Sequence, residues 1–432
     1  MGSRRFVSRG ALAVTLAVTL AACGSDIGGN GGSTAATVGD STTTTVPRDG
    51  DHVLELGVLL PQTGPNAAIG MPMIQAIQLA VAQINAAGGY NGMPVKLVIA
   101  DEGADANATK VGLAQLLDVA QNPQIDAVIG PLASADALAA LPTLVDHGIL
   151  TCSPASTTTA ISQLPNQNLF VRTAPTNALQ GPALARIIAN AGDKRVAVMF
   201  PDDDEGKALS KAVADGLASV NAAVTGSWPY DPSAEDFSAN AMTALKTEPD
   251  AVAVLGAPPA GPKIIGALST SGVPIYVNSG LRVAKLAGND PTQKNNPPVI
   301  AGVSVAADPT TGAAAFRDAF AAFAPGVPTA FTSYAYDCAT LIAMAAVNQK
   351  TDAPSDVRGR MIKDSRAGVI CRSFADCVQL AAAGRDIDYD GASGQLELGE
   401  DGSPTRAEFD VFGFDETGKD VTMDHVVVTA PG

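Results

Sequence analysis

The sequence predicts an α/β protein built from two doubly wound, Rossmann-like lobes. Short apolar runs, of the kind buried on both faces of a parallel sheet, alternate with segments of helical period. The alternation runs twice: Asp126-Ala127-Val128 and Asp250-Ala251-Val252 each follow a helical segment and open a buried strand ahead of a glycine. About 380 residues follow a polar N-terminal stretch, enough for two domains of ordinary size.

The first series opens with VLELGVLL at 53–60. A helix follows in MIQAIQLAVAQINAAGG, stopped by Gly88-Gly89, and VKLVIAD at 95–101 is the next strand. A helix near 105–119, DAVIG at 126–130, a helix near 135–147, ILTC at 149–152 and LFVRT at 169–173 continue it. The second series has helices near 177–191, 205–219 and 237–247. Its strands are RVAVMF at 195–200, a run around Val224 to Trp228, and DAVAVLG at 250–256. After AGVSVA at 301–306 come helices at 313–323, 333–348 and 373–383, then a β-rich tail of QLEL, RAEFDVFGF and HVVVTA. The late helices must complete an earlier lobe, since they follow both series.

The first 22 residues carry Arg4, Arg5 and Arg9 ahead of an apolar run from Ala11 to Ala22, too short to span a bilayer as a helix, and read as an export signal. The signal ends in Leu20-Ala21-Ala22-Cys23, which resembles the bacterial lipobox and makes Cys23 the expected lipidated N-terminus. Residues 24–51, rich in Gly, Ser and Thr, form a flexible tether. Without the signal, 24 basic residues face 43 acids, a formal charge near −19 that speaks against nucleic acid as a partner. In an exported chain the four remaining cysteines favour disulfides, with three pairings open. Joining Cys371 to Cys377 closes a short loop worth roughly 2.4 kcal/mol and leaves Cys152 with Cys338 by elimination. No C-x2-C pair and only three histidines, His52, His147 and His425, leave no zinc site.

In open parallel sheets ligands bind outside the carboxyl ends of strands, where strand order reverses. The loops to inspect are PQTGPNAAIG, GPLAS, CSPASTTT, PDDDEGK, GAPPAG and NSGLR. None carries a dinucleotide or triphosphate fingerprint, so no cofactor is expected. They offer hydroxyls and helix N-terminal amides, which suit an anion. One further motif stands out: Asp386 to Glu397, DIDYDGASGQLE, fits the fixed positions of a calcium loop. That loop needs a helix on each side, and the segment after it alternates like a hairpin. The expected role of Asp386, Asp388 and Asp390 is turn formation at a hinge, without metal.

With these loops in view, residues from about Val53 onward resemble the type I periplasmic binding proteins, above all the branched-chain amino acid binding proteins of ABC importers. The residues that carry it are LGVLLPQTGPNAAIG, INAAGGYNGMPVKLV, DAVIGPLAS, ILTCSPAST, FVRTAPTNALQG and YDGASGQLEL, in this order. The resemblance implies two lobes joined by a three-crossing hinge, with crossings near Thr173 to Thr176, Gly302 to Ala306 and Asp388 to Gly394. The expected N-terminal lobe is 52–173 with 307–388, and the C-terminal lobe 176–302 with 394–432. The resemblance also implies that Ser134 and Thr157 hold a ligand carboxylate, with Ser156 beside them among the ligand-binding residues, that the Ala155 carbonyl receives an ammonium, and that Ile69 walls the pocket.

On the second lobe the pattern departs. Glu205 stands where the family has an aromatic, a second aromatic falls near Ala257 and Pro258, and the acid that pairs with an ammonium falls near Gly280. Glu205 is the candidate replacement for that charge. The expected protein is a monomeric solute-binding lipoprotein on the outer face of a bacterial cytoplasmic membrane. It would hand a small carboxylate-bearing ligand to ABC permease subunits. A sensing ectodomain is the alternative, and an envelope enzyme built on His147 and Cys152 has the least support.

Overall fold

The computed structural model describes residues 48–430 apart from 119–123, 167, 284–299, 308, 311 and 416. The export signal, Cys23 and nearly all of the tether lie outside the described residues.

The first half opens β1 (Glu55–Leu60), α1 (Ala67–Ala86), β2 (Lys96–Asp101), α2 (Ala106–Leu116) and β3 (Ala127–Ile129). It continues α3 (Ser134–Asp146), β4 (Leu150–Ser153) and β5 (Phe170–Arg172). These strands make one parallel sheet in the order β2-β1-β3-β4-β5. The chain then runs α4 (Asn177–Asn190), β6 (Arg195–Pro201), α5 (Asp204–Ser219), β7 (Ala223–Tyr230) and α6 (Ser238–Leu245). Next come β8 (Ala251–Val254), α7 (Ala260–Leu268), β9 (Ile275–Val277) and β10 (Ile300–Val305). The parallel part of this second sheet, β7-β6-β8-β9-β10, repeats the order of the first strand for strand. β1 and β6 are buried along nearly their whole length, as the continuous apolar runs require.

Past β10 the chain returns to the first half with α8 (Ala313–Phe323), α9 (Thr332–Gln349) and α10 (Pro354–Asp364). It adds β11 (Val369–Cys371), α11 (Phe374–Ala382), β12 (Ile387–Gly391) and β13 (Gly394–Gln395). Residues of α9 and α1 share one core cluster with β1 and β4. Among described helices α1 alone is long and apolar enough to cross a bilayer, yet ten of its residues are buried, as a core helix requires. Finally β14 (Arg406–Phe414) and β15 (Asp420–Thr429) join the second sheet antiparallel beside β10.

Several local expectations shift. The helix α7 and the strand β9, and likewise α10 and β11, were not anticipated from the sequence. The third passage between the halves lies near Ser403 to Thr405, later than Asp388 to Gly394. Tyr389, Ala392, Leu396 and Leu398 are buried in the first core, and Arg172 N donates to Gly402 O at 2.8 Å, so the chain stays with the first half up to that point.

Two disulfides form, Cys152–Cys338 and Cys371–Cys377. In the acidic stretch β12 is extended and pairs with β11 and β13. Asp386 precedes β12 and Asp388 and Asp390 lie on it, so the three acids are strung along extended backbone and not wrapped in the loop that a calcium site of this pattern needs. Asp386 pairs instead with Lys363 at 3.2 Å and Asp390 with Arg372 at 3.7 Å. Ser393, inside the motif, donates through its backbone N–H to the buried Asp337 at 2.7 Å.

Candidate functional site

In both sheets strand order reverses between the first and third strands of the parallel set, β1 and β3 in one, β6 and β8 in the other. Loops leaving the carboxyl ends of such strands diverge and leave a crevice. A cleft of about 550 Å³ lies there, with walls from both halves. Ile69, Ala155, Thr157 and Phe331 come from the first half, and Glu205, Tyr230, Leu255, Pro258, Asn278 and Gly280 are among those from the second. The two walls touch where Thr157 Oγ1 donates to Glu205 Oε1 at 3.4 Å; within the second wall, Asn177 Nδ2 donates to the same oxygen at 3.4 Å.

Of the residues singled out in the sequence, Ile69, Ala155, Thr157, Glu205, Pro258 and Gly280 line this cleft. Ser134 and Ser156 do not. Ser134 starts α3, and its Oγ accepts from Thr158 N at 3.4 Å. Ser156 is fully buried, and its hydroxyl lies 3.4 Å from the carbonyls of both Pro131 and Leu132. Both serines therefore fix the loops behind the wall. Neither residue caps a helix through its side chain; Thr158 is the cap of the next short turn.

The first wall is held from within by buried acids. Glu102, following β2, is 1% exposed and accepts from Leu132 N at 2.7 Å and Ala133 N at 3.1 Å. Burial pushes its carboxyl up to about 8 despite those donors, and the neighbouring Asp136 adds to the push. Protonated, Glu102 can share its hydrogen with Asp136 while still clamping the turn that precedes α3. Asp101 caps the opposite loop, taking Gln62 N at 2.7 Å and Thr63 Oγ1 at 2.5 Å.

The second wall turns on close backbone approach. Gly206 follows the α5 entrance, where a Cβ would strike the Pro201 carbonyl. Asp203 caps α5 by accepting Gly206 N at 2.7 Å, and Asp202 pairs with Lys207 at 2.9 Å, so these acids serve the helix end. Glu205 is left to face Thr157. A Cβ on Gly280 would collide with the carbonyl of Gly256, so no acid can be carried at that position. Tyr230 donates to Leu255 O at 2.5 Å and presents its ring among apolar neighbours. Asn278 accepts Gly256 N at 2.9 Å, and Gln180 donates to Ser279 Oγ at 2.6 Å. Arg282 also lines the cleft, tied to Asp410 at 2.7 Å and Asp420 at 2.8 Å. Asn177 and Gln180 lie in FVRTAPTNALQG, and Asn278 and Arg282 in NSGLR, stretches marked in the sequence without these residues being singled out; Tyr230, at the end of β7, belongs to no such stretch.

A model of the periplasmic binding proteins matches residues 53–416. The chain belongs to that family. Its fold matches that of the type I members. A substrate-binding protein, BasB, of a chemotactic signal transduction system in Halobacterium salinarum is 28% identical over 359 residues, covering 79% of this chain and 83% of that protein. The Leu/Ile/Val-binding protein of Escherichia coli K12 is 31% identical over 172 residues, 40% of this chain and 46% of its own length. Among solved structures, the branched-chain amino acid transporter substrate-binding protein LivJ of Streptococcus pneumoniae, in complex with isoleucine, aligns with a TM-score of 0.66. That alignment is 21% identical and covers 87% of this chain and 99% of LivJ. A solute-binding protein of R. palustris in complex with benzoate aligns at 0.63, with 17% identity, over 87% of this chain and 98% of its own. At these identities the structural likeness speaks for the fold.

Proposed function

We propose that this binding protein holds a small carboxylate-bearing ligand, an amino acid or a related compound, in the cleft between its halves. The observation that carries the reading is the cleft itself, with the Thr157 hydroxyl on one wall and the Glu205 carboxylate on the other, 3.4 Å apart. The ligand carboxylate takes the Thr157 hydroxyl. Its ammonium takes Glu205, which supplies the charge that Gly280 cannot carry. Apolar Tyr230, Leu255 and Pro258 receive the remainder. Each wall holds part of the ligand, so bound ligand favours the closed arrangement over the open one.

The partner reading is an ABC permease, with the protein held to the outer face of the cytoplasmic membrane through lipid on Cys23. Supporting it are the lipobox-like end of the export signal and the amino acid binding proteins among its relatives. A second reading, delivery to a signal transducer, is favoured by the BasB match, which covers most of both chains. Capture from native membranes separates them: permease subunits support import, and a transducer without permease supports sensing. Calorimetry against amino acids, aliphatic and aromatic acids, amides and polyamines tests the ligand class. Binding of acids that weakens in Thr157→Val is expected; a preference for polyamines would overturn it.

A further inference from the structure

The loop that presents Thr157 is tied down from beneath by a buried charge that makes no ion pair among the described residues. Arg172, at the end of β5, is fully buried. Its Nη1 donates to the carbonyls of Ser156 at 3.1 Å and Thr158 at 2.7 Å, and its Nη2 to Ser162 Oγ at 2.6 Å. The guanidinium lies over the Phe170 ring, 5.2 Å from its centroid. Among the described residues Nε has no hydrogen-bond partner. Burial outweighs the charge of Asp401 and draws the group down to about 10, which still leaves it cationic at neutral pH.

Two consequences follow from this geometry. A trans peptide points its C=O and N–H in opposite directions, so drawing the Ser156 carbonyl onto Arg172 turns the Thr157 N–H away from the guanidinium. A buried cation held only by neutral partners is costly, and an anion arriving close by relieves that cost. A neutral head group brings no such relief.

We propose that Arg172 is the positioning residue of the anion-binding loop: it fastens the carbonyls on either side of Thr157 so that this residue faces the cleft, and its charge selects an anionic head group over the neutral isostere. The proposal rests on the carboxylate reading above and adds to it a residue and a charge criterion.

The test is calorimetry of the whole protein at pH 7.5 with four probes: L-leucine, L-leucinamide, 4-hydroxybenzoate and 4-hydroxybenzamide. The readout is the acid-to-amide affinity ratio for the better-bound pair. The wild-type ratio should be about 30 or more, as expected for a hydrogen-bonded charge in a partly dry site. Arg172→Gln should bring it to about three or less, the acid losing far more affinity than the amide, whereas a loop merely loosened would weaken acid and amide alike and leave the ratio unmoved. Arg172→Lys should keep a ratio above about ten while weakening both probes, because the charge remains and the fork is lost.

A folded Arg172→Gln protein that keeps the wild-type ratio overturns the proposal. Should that variant not fold, Arg172→Lys decides: a ratio retained supports the proposal, and a ratio lost overturns it. Wild-type protein that binds neither acid overturns the carboxylate reading and this inference with it. Acid binding by the wild type with the ratio unmoved in the variants overturns this inference alone.

Discussion

The two walls of the cleft are built differently. The first half contains both disulfides and the buried acids Glu102 and Asp337, each accepting two backbone N–H groups, and Asp126, which accepts Glu55 N and pairs with Arg48. Cys152, at the end of β4, is bonded to α9 only a few residues before Thr157. The second half has no cystine among its described residues. It faces the cleft with Tyr230, Leu255 and Pro258 and with acids placed at a helix entrance. The contrast teaches that a head group needs fixed donors, whose geometry must be set before binding, whereas a tail needs volume, which apolar side chains can reshape.

If the first half owes its rigidity to these braces, the largest effect follows from cutting the long one. The Cys152–Cys338 bond closes a loop of sequence separation 186, worth roughly 5 kcal/mol of chain entropy against roughly 2.4 for Cys371–Cys377. Paired Cys152→Ser and Cys338→Ser should lower stability in urea more than paired Cys371→Ser and Cys377→Ser. A reversed order would break the comparison.

The buried acids set the next effect, with a definite sign. Glu102 is raised to about 8 and Asp126 to about 7, in both cases chiefly by burial. A carboxyl raised in the folded state binds its proton more tightly there than in the unfolded chain. Its stabilisation is therefore full below about pH 4.5 and is lost as pH rises toward 8, on the order of a few kcal/mol. Urea unfolding at pH 5 and pH 8 should show Glu102→Gln losing less stability over that interval than the wild type. An equal loss would remove Glu102 from the account.

Smaller effects sharpen the division between walls. Thr157→Val should weaken acid ligands by about tenfold to a hundredfold, the worth of a hydrogen bond to a charged group. Glu205→Gln should cost amino acids only about threefold to tenfold, because the side chain is exposed and solvent screens it, and should leave non-amino acids nearly unaffected. Calorimetry reads both. Equal losses on an amine-free acid would deny Glu205 its assigned charge role.

Much of this was legible because burial imposes periodicity. Continuous apolar runs such as 53–60 and 195–200 gave the central strands, and their alternation with helical segments gave the doubly wound order. β9 was not, being three residues set between polar loops, and α10 was obscured by its charged, weakly apolar sequence. The third passage between the halves was placed at Asp388 to Gly394 by the resemblance, whereas the alternate Ile387 and Tyr389 bury themselves in the first core. Side-chain direction was the deeper limit. Thr157 and Ser156 are neighbours of similar chemistry, and only the carbonyls of Pro131 and Leu132 decide that Ser156 turns inward. Arg172 did leave a signal: an arginine at the end of a short buried strand needs partners, and those partners lie in the binding loop.

The most direct test of the central claim is a crystal structure of the protein with its tightest-binding acid from the calorimetric panel. The account predicts the ligand between the halves, its carboxylate within about 3 Å of Thr157 Oγ1 and of backbone N–H groups in the same loop, its tail against Tyr230 and Leu255. A carboxylate held by the second wall, or a ligand outside the cleft, would contradict it.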